Sequence, residues 1–317
     1  MSRLGIAGGV IQVLVVTGGA PVLTGVMRQV RARLEGRAGP GLRQPWSDLR
    51  KLLRKEPVTP AGTGELFRVA PLVLLATTVV VAGVSPFVTT ASAIGPAADL
   101  FAVVALLAMG TATLALAAID TGTAFGGMGA SREMTIMALV EPTLLMSVFA
   151  LSVRAGSTNL SAIVTAVVRD PARVASPAGL LAAVALILVT IAETGRLPVD
   201  NPATHLELTM VHEAMILEYA GPDLAVVELA SSMRLTVFLG LLVTLFVPWG
   251  IAVTAAPLAL AAGTAAFAAK VTICGAALAA GEVFMAKLRL FRVPELLGGS
   301  FLLALLAVAA SVFLGAA

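Results

Sequence analysis

The sequence predicts an all-α polytopic membrane protein, about eight transmembrane helices plus cytoplasmic amphipathic helices, forming a single integral membrane domain over residues 1–317. Three observations predict it. Hydrophobic residues make up 58% of the chain and charged residues 12%, with a mean hydropathy of +0.99, whereas a soluble domain is about one-quarter charged. Apolar runs of about 18 residues or more recur, each long enough to cross about 30 Å of hydrocarbon as a helix. The basic residues, finally, concentrate in one loop.

Taken in order, the spans are predicted near residues 5–27, 68–88, 98–119, 134–153, 177–194, 225–248, 258–286 and 296–316. The first run is too long for a signal-peptide core and is followed by basic residues, so it is expected to remain as a span. Gly and Pro inside several runs are no obstacle where neighbouring helices re-satisfy the backbone. Residues 28–67 form a basic loop, expected on the cytoplasmic side by the bias of Lys and Arg toward that face. Alternation then puts Arg132, Arg196 to Arg234, and Lys287 to Arg292 on the same side, with both termini outside. It leaves Arg154, Arg169 and Arg173 as outside arginines that run against the bias, and Lys270 within the membrane.

In the basic loop, Pro45 is expected to open a short amphipathic helix. Trp46, Leu49, Leu52 and Leu53 share one face, and Arg50, Lys51, Arg54 and Lys55 the other, as in a helix lying in the headgroup plane. Topology alone also accounts for the cations. Gly126-Gly127-Met128-Gly129 reads as a flexible cytoplasmic turn.

The net charge of +3 does not argue for nucleic acid, because the cations serve topology. With Cys274 as the one cysteine, an intrachain disulfide, a thiolate zinc site and a cysteine-held iron–sulfur cluster are excluded. Any redox centre must belong to a partner. No GxGxxG turn, P-loop or GxSxG elbow is present, and His212-Glu213 does not open an HExxH motif because residue 216 is Ile. No catalytic residue and no metal site are expected in the chain.

The function is expected in the acidic stretch after the fifth span, a cytoplasmic loop and helix over 195–224 flanked by acids embedded in apolar sequence. The whole stretch from Ala192 to Glu228 holds Glu193, Asp200, Glu207, Glu213, Glu218, Asp223 and Glu228. An ionisable side chain at membrane depth costs roughly 2.5–3.5 kcal/mol on insertion scales, so it usually lines a wet cavity or an ion path. The plainer reading is a solvated loop with a polar helix. Asn201-Pro202 supplies a cap and a first-turn proline for a helix from about Pro202 to Tyr219, with His205 and His212 on one face. These two histidines are better placed for hydrogen bonding or proton relay than for a metal. Glu141 is expected about two turns into the fourth span, and Lys270 to pair with a buried carboxylate such as Glu141 or Glu228. Lys287 is expected to snorkel or to pair with Glu282 at the surface.

Glu193-Thr194-Gly195-Arg196-Leu197-Pro198-Val199-Asp200, followed by Glu207 and Glu218-Tyr219-Ala220-Gly221, resembles the ETNRxPxD…E…EYSG pattern of subunit 1 of respiratory complex I. Gly39-Pro40 and Gln44-Pro45-Trp46-Ser47-Asp48-Leu49 to Lys55-Glu56 resemble that subunit's first cytoplasmic loop. Gly195 in place of Asn, His205 in place of a carboxylate and a longer interval from Glu207 to Glu218 are more similar to a homologous branch. That branch is the membrane subunit of group 4 [NiFe]-hydrogenases, the formate hydrogenlyase subunit 4 and hydrogenase-4 component C family.

The resemblance implies a complex I subunit 1-like fold in a bacterial or archaeal cell membrane. It implies a chain that docks hydrogenase-like large and small subunits and a ferredoxin-like subunit, and links them to antiporter-like membrane subunits. The nickel–iron centre and iron–sulfur clusters would lie in those partners, with no cofactor here. It also implies a proton path over Glu141, Glu193, Glu207, Glu218 and Glu228, to which Glu213 in the same acidic stretch and the intramembrane Lys270 are added from the residues themselves. Partner docking or a quinone-like cavity would fall to Trp46, Asp48, Lys51, Arg196, Asp200, His205 and His212. Two rivals stand beside this expectation: the quinone-binding subunit of an NADH:quinone oxidoreductase, and a stand-alone secondary transporter.

Overall fold

The computed structural model describes residues 3–92, 94–200, 210–254, 256–289 and 292–315. Helices occupy all eight predicted spans: α1 (Arg3–Leu34), then, after the short α2 (Gln44–Leu52), α3 (Glu65–Val84), α4 (Leu100–Asp120) and α5 (Ala124–Ala155). The short α6 (Leu160–Arg169) is followed by α7 (Pro177–Glu193), the short α8 (His212–Ile216), α9 (Gly221–Phe246), α10 (Pro257–Phe284) and α11 (Val293–Gly315). Seven are long and apolar enough to cross a membrane. The other, α7, has 17 residues, a rise of about 26 Å.

α5 and α9 are each the centre of a group of helices. α5 packs on α4, α7 and α11, while α9 packs on α1, α3 and α10. α9 is the most buried of the seven spans, and Leu235, Val237, Phe238, Leu239 and Leu241 are buried in near-continuous succession, as expected of a helix that is apolar all round. Gly240 admits the ring of Phe87 there, since a Cβ would lie 2.9 Å from it. On the outside, Leu258, Ile273, Phe284 and Phe313 are exposed, the surface of a chain solvated by lipid.

Several expectations are corrected. Gly126 to Gly129 is not a turn but the opening of α5, capped by Thr123, whose hydroxyl accepts from Gly126 N at 3.3 Å. Gly129 is needed for proximity, because a Cβ there would lie 2.8 Å from Ala214 and 3.0 Å from the Val211 carbonyl. Arg132 is therefore helical, and Glu141 lies 17 residues along α5, about 26 Å from its start rather than two turns. The helix expected from Pro202 to Tyr219 is not continuous: residues 201–209 lie outside the described residues, Met210 and Val211 are not helical, and among the described residues of this stretch the helix covers His212–Ile216.

Two of the three arginines expected outside, Arg154 and Arg173, have local partners. Arg154 donates to the Arg173 carbonyl (3.2 Å) and Ser176 Oγ (2.8 Å), and Arg173 donates back to the Arg154 carbonyl (2.7 Å). Both cations thereby serve the end of α5 and the start of α7, where orphan backbone groups collect.

α3 and α9 each end before an X-Pro-aromatic step, Ser85-Pro86-Phe87 and Val247-Pro248-Trp249. The extended segments that follow pair with each other: Ala252 N donates to the Val88 carbonyl (3.0 Å) and Thr90 N to the Ala252 carbonyl (3.1 Å). Carbonyls left without helical donors need others. Gln12 Nε2 serves Gly83 and Ser85. Lys270 Nζ serves Val247 (2.9 Å) and Trp249 (3.0 Å). Lys270 thus pairs with backbone, not with Glu141 or Glu228, because the broken helix supplies acceptors closer than any carboxylate.

Candidate functional site

A cavity of about 380 Å³ opens between α1, α2, α8, α9 and the segment after α7. Its walls carry Arg28, Arg31 and Asp48 on one side, and Glu193, Arg196, Asp200, His212, Glu213, Glu228 and Arg234 on the other. Predicted site residues Asp48, Glu193, Arg196, Asp200, His212, Glu213 and Glu228 are therefore brought together.

At the inner end, Glu193 closes α7 and meets Arg234 of α9. Arg234 Nη2 donates to Glu193 Oε2 at 2.7 Å and to Thr111 Oγ1 at 2.6 Å, and Nη1 donates to the Leu107 carbonyl at 2.9 Å. The Phe238 ring lies 5.9 Å from the guanidinium carbon. The two side chains are 7% and 6% exposed, so this is a buried pair with its donors satisfied. Arg234 is not the loop cation that the charge pattern suggested. An arginine inside the apolar run 225–248 was itself the signal, since such residues face a polar interior.

Asp200 is fixed by backbone and by a cation. Its Oδ2 accepts from the backbone N–H groups of Val211 (3.2 Å) and His212 (3.3 Å), and Oδ1 lies 3.3 Å from Lys287 Nζ. Lys287 therefore neither snorkels nor pairs with Glu282. Glu282 is buried in the last turn of α10 and takes Arg31 as its ion-pair partner, with Arg196 Nη1 3.8 Å from its other oxygen. These pairs tie α1 and α10 to the stretch after α7.

His212 lies in the cavity wall, with Nε2 3.3 Å from Ser231 Oγ. Burial lowers its pKa below the usual imidazole range, while Asp200 opposes the shift, so the neutral ring is favoured. Tyr219 anchors the following turn. It stacks on Phe67 at 4.1 Å and donates to the Phe67 carbonyl at 2.9 Å. Pro71, four residues on, offers that carbonyl no helical N–H, so Tyr219 replaces the missing donor. Burial pushes its phenol up from the usual range.

The remaining predicted residues lie apart from the cavity. Glu141 is half-buried on α5, with Oε1 buried and unpartnered, and Glu193 and Arg234 are the charged groups that act on it. Glu218 is half-buried beside Tyr219 without lining the cavity. Trp46 and Lys51 are exposed on α2, whose Leu49 is buried. Lys270 belongs to the broken-helix region, while His205 and Glu207 lie outside the described residues. One buried acid escaped sequence reasoning altogether: Glu133, 8% exposed on α5. It falls between residues 126–129, read as a turn, and the span expected from 134, and beside Arg132 nothing marked it as buried. Among the described residues no group of three or more His, Cys, Asp or Glu could hold a metal ion.

The model of the NADH dehydrogenase family matches residues 8–313. The chain is 35% identical to formate hydrogenlyase subunit 4 of Escherichia coli K12 over 297 residues, which is 94% of this chain and 95% of that protein. It is also 35% identical to hydrogenase-4 component C of the same organism, over 73% of this chain and 71% of that one. Among solved structures, a chain of the membrane-bound sulfane sulfur reductase, an archaeal respiratory membrane complex, superposes with a TM-score of 0.82 at 19% identity. The match covers 97% of this chain and 99% of that one, and at that identity it speaks for the fold.

Proposed function

This chain belongs to the NADH dehydrogenase family, whose members are subunits of oxidoreductase complexes, and from that premise we propose that it is a membrane anchor and proton-conducting coupling subunit. The complex would be of the membrane-bound [NiFe]-hydrogenase type. The two relatives at 35% identity support that branch. The chain would dock hydrogenase-like large and small subunits and a ferredoxin-like subunit at its cytoplasmic face, and adjoin antiporter-like subunits in the membrane. The nickel–iron centre and iron–sulfur clusters would reside in those partners, and both termini would lie outside.

One observation carries the reading: the polar cavity ends on the buried Glu193–Arg234 pair, and the unpartnered carboxyl of Glu141 stands within the field of that pair. A redox event in the docked partner changes the charge near Arg196 and Asp200. Coulomb coupling then shifts the balance among Glu228, Glu213 and Glu193. Protons enter from the cavity and pass toward Glu141, with Arg234 holding the ionised form of Glu193.

The test uses the purified complex in proteoliposomes. Glu141→Gln and Glu228→Gln are expected to lower proton translocation by about tenfold or more while the complex stays assembled. Wild-type translocation in both variants would sink the proposal. A second reading draws on the cavity itself, since about 380 Å³ falls in the range of small-molecule sites, roughly 300–1,000 Å³. It would make this the headgroup site of a quinone, and quinone-dependent turnover of the purified complex would select it.

A further inference from the structure

Beside the main cavity lies a second, much smaller one of about 10 Å³, lined by Glu133, Ile136, Glu193, Asp200 and His212 among others. That is close to one water's probe volume, about 10–15 Å³, and a buried water is kept where two to four polar groups converge. Glu133 is 8% exposed and makes no hydrogen bond or ion pair with any described residue. The other three polar groups are anchored: Glu193 by Arg234, Asp200 by Lys287 and two backbone N–H groups, and His212 by Ser231. Only Glu133 enters the cavity without a partner.

From this geometry we infer that Glu133 is a proton-carrying residue, joined through a single bound water to Glu193 on one side and to Asp200 and His212 on the other. The inference rests on the proton-conducting reading above and adds to it a branch that runs beside the main cavity through α5. Among the described residues, the titratable or charged groups that face Glu133 come from different elements: Glu193 from α7, Arg234 from α9, Asp200 from the stretch after α7 and His212 from α8. Carboxyls that share a desolvated site exchange a proton as a coupled unit. A proton leaving Glu133 breaks one O–H bond as the water gains another. The water's own proton passes to Glu193, so charge moves while the water is regenerated. Refilling from the Asp200 and His212 side restores Glu133.

Glu133 also lies eight residues before Glu141 on the same helix, about 12 Å along its axis. The branch therefore meets the main path at Glu193, and α5 carries an acid on either side of that junction.

The test takes the purified complex through infrared difference spectra between dithionite-reduced and air-oxidised states, in H₂O and D₂O. Wild type is expected to show a deuterium-sensitive band in the region of protonated carboxyl groups. Glu133→Gln should lose that band, and Glu133→Asp should keep it at a displaced position. Proton translocation should fall about tenfold or more in Glu133→Gln and recover at least in part in Glu133→Asp. Spectra and translocation identical to wild type in Glu133→Gln would overturn the inference. Should that variant fail to assemble, an unchanged spectrum in Glu133→Asp would overturn it, and a displaced band would support it. Loss of translocation in the Glu141 and Glu228 variants but not in Glu133→Gln would remove this branch alone. Wild-type behaviour in all three would remove the whole proton-conducting reading.

Discussion

Replacing Arg234 by Met tests the buried pair at the heart of the site. The variant keeps side-chain length and removes the guanidinium that Glu193, Thr111 and the Leu107 carbonyl share. Exposed ion pairs are worth about 0–1 kcal/mol, but exposures of 7% and 6% take this one out of that class. Removing one partner of a buried pair leaves an uncompensated charge and costs about 3–5 kcal/mol. For a chain of this size that corresponds to a fall of about 10 °C in apparent Tm, at about 2–4 °C per kcal/mol. Adding Glu193→Gln to Arg234→Met removes the stranded charge, and the double variant should recover more than half of the loss. The assay is thermal unfolding of the purified complex in detergent, followed by tryptophan fluorescence, over the full double-mutant cycle. An Arg234→Met protein as stable as wild type, or a double variant whose loss is the sum of the singles, would refute the reasoning.

Tyr219→Phe keeps the stack on Phe67 and strands the carbonyl that Pro71 cannot serve. It is expected to cost about 1–3 kcal/mol, read as a lowered Tm with an unchanged fold by circular dichroism. Lys270→Met leaves the Val247 and Trp249 carbonyls without a donor and should destabilise the chain by a few kcal/mol, measured by unfolding in detergent. His212 gives a pH signature: because its folded pKa is depressed, the unfolded chain binds more protons as pH falls below about 6.5. Stability is thus complete above that value and declines below it. His212→Gln should flatten the decline, as shown by Tm across a pH series.

The eight spans were legible because a bilayer imposes one length on every apolar run, and even the 17-residue α7 meets that requirement nearly enough to be seen. The site was legible in outline, since acids such as Glu193 and Asp200 beside apolar sequence need wet surroundings, and the cavity gathers them. Three things were hidden. Gly126 to Gly129 has poor helix propensity, and the Thr123 cap together with the close approach of α8 at Gly129 accounts for its helical state. Lys270 looked for a carboxylate because the sequence gives no sign that two X-Pro-aromatic steps leave carbonyls exposed inside the bundle. Glu133, next to Arg132, carried a local pattern indistinguishable from a surface pair, and its burial arises only when α7, α8 and α9 close over it.

The paired breaks at Val84 and Phe246 bear on how the protein is built in the membrane. A helix can enter lipid alone because it satisfies its own backbone, but the extended segments after α3 and α9 cannot. Their donors come from Gln12 on the first helix and Lys270 on the tenth, and from each other across most of the chain. No partial chain ending before α10 holds a full complement of these donors. Membrane insertion of the early helices therefore leaves an unfinished seam, and synthesis of α10 is the step that seals it.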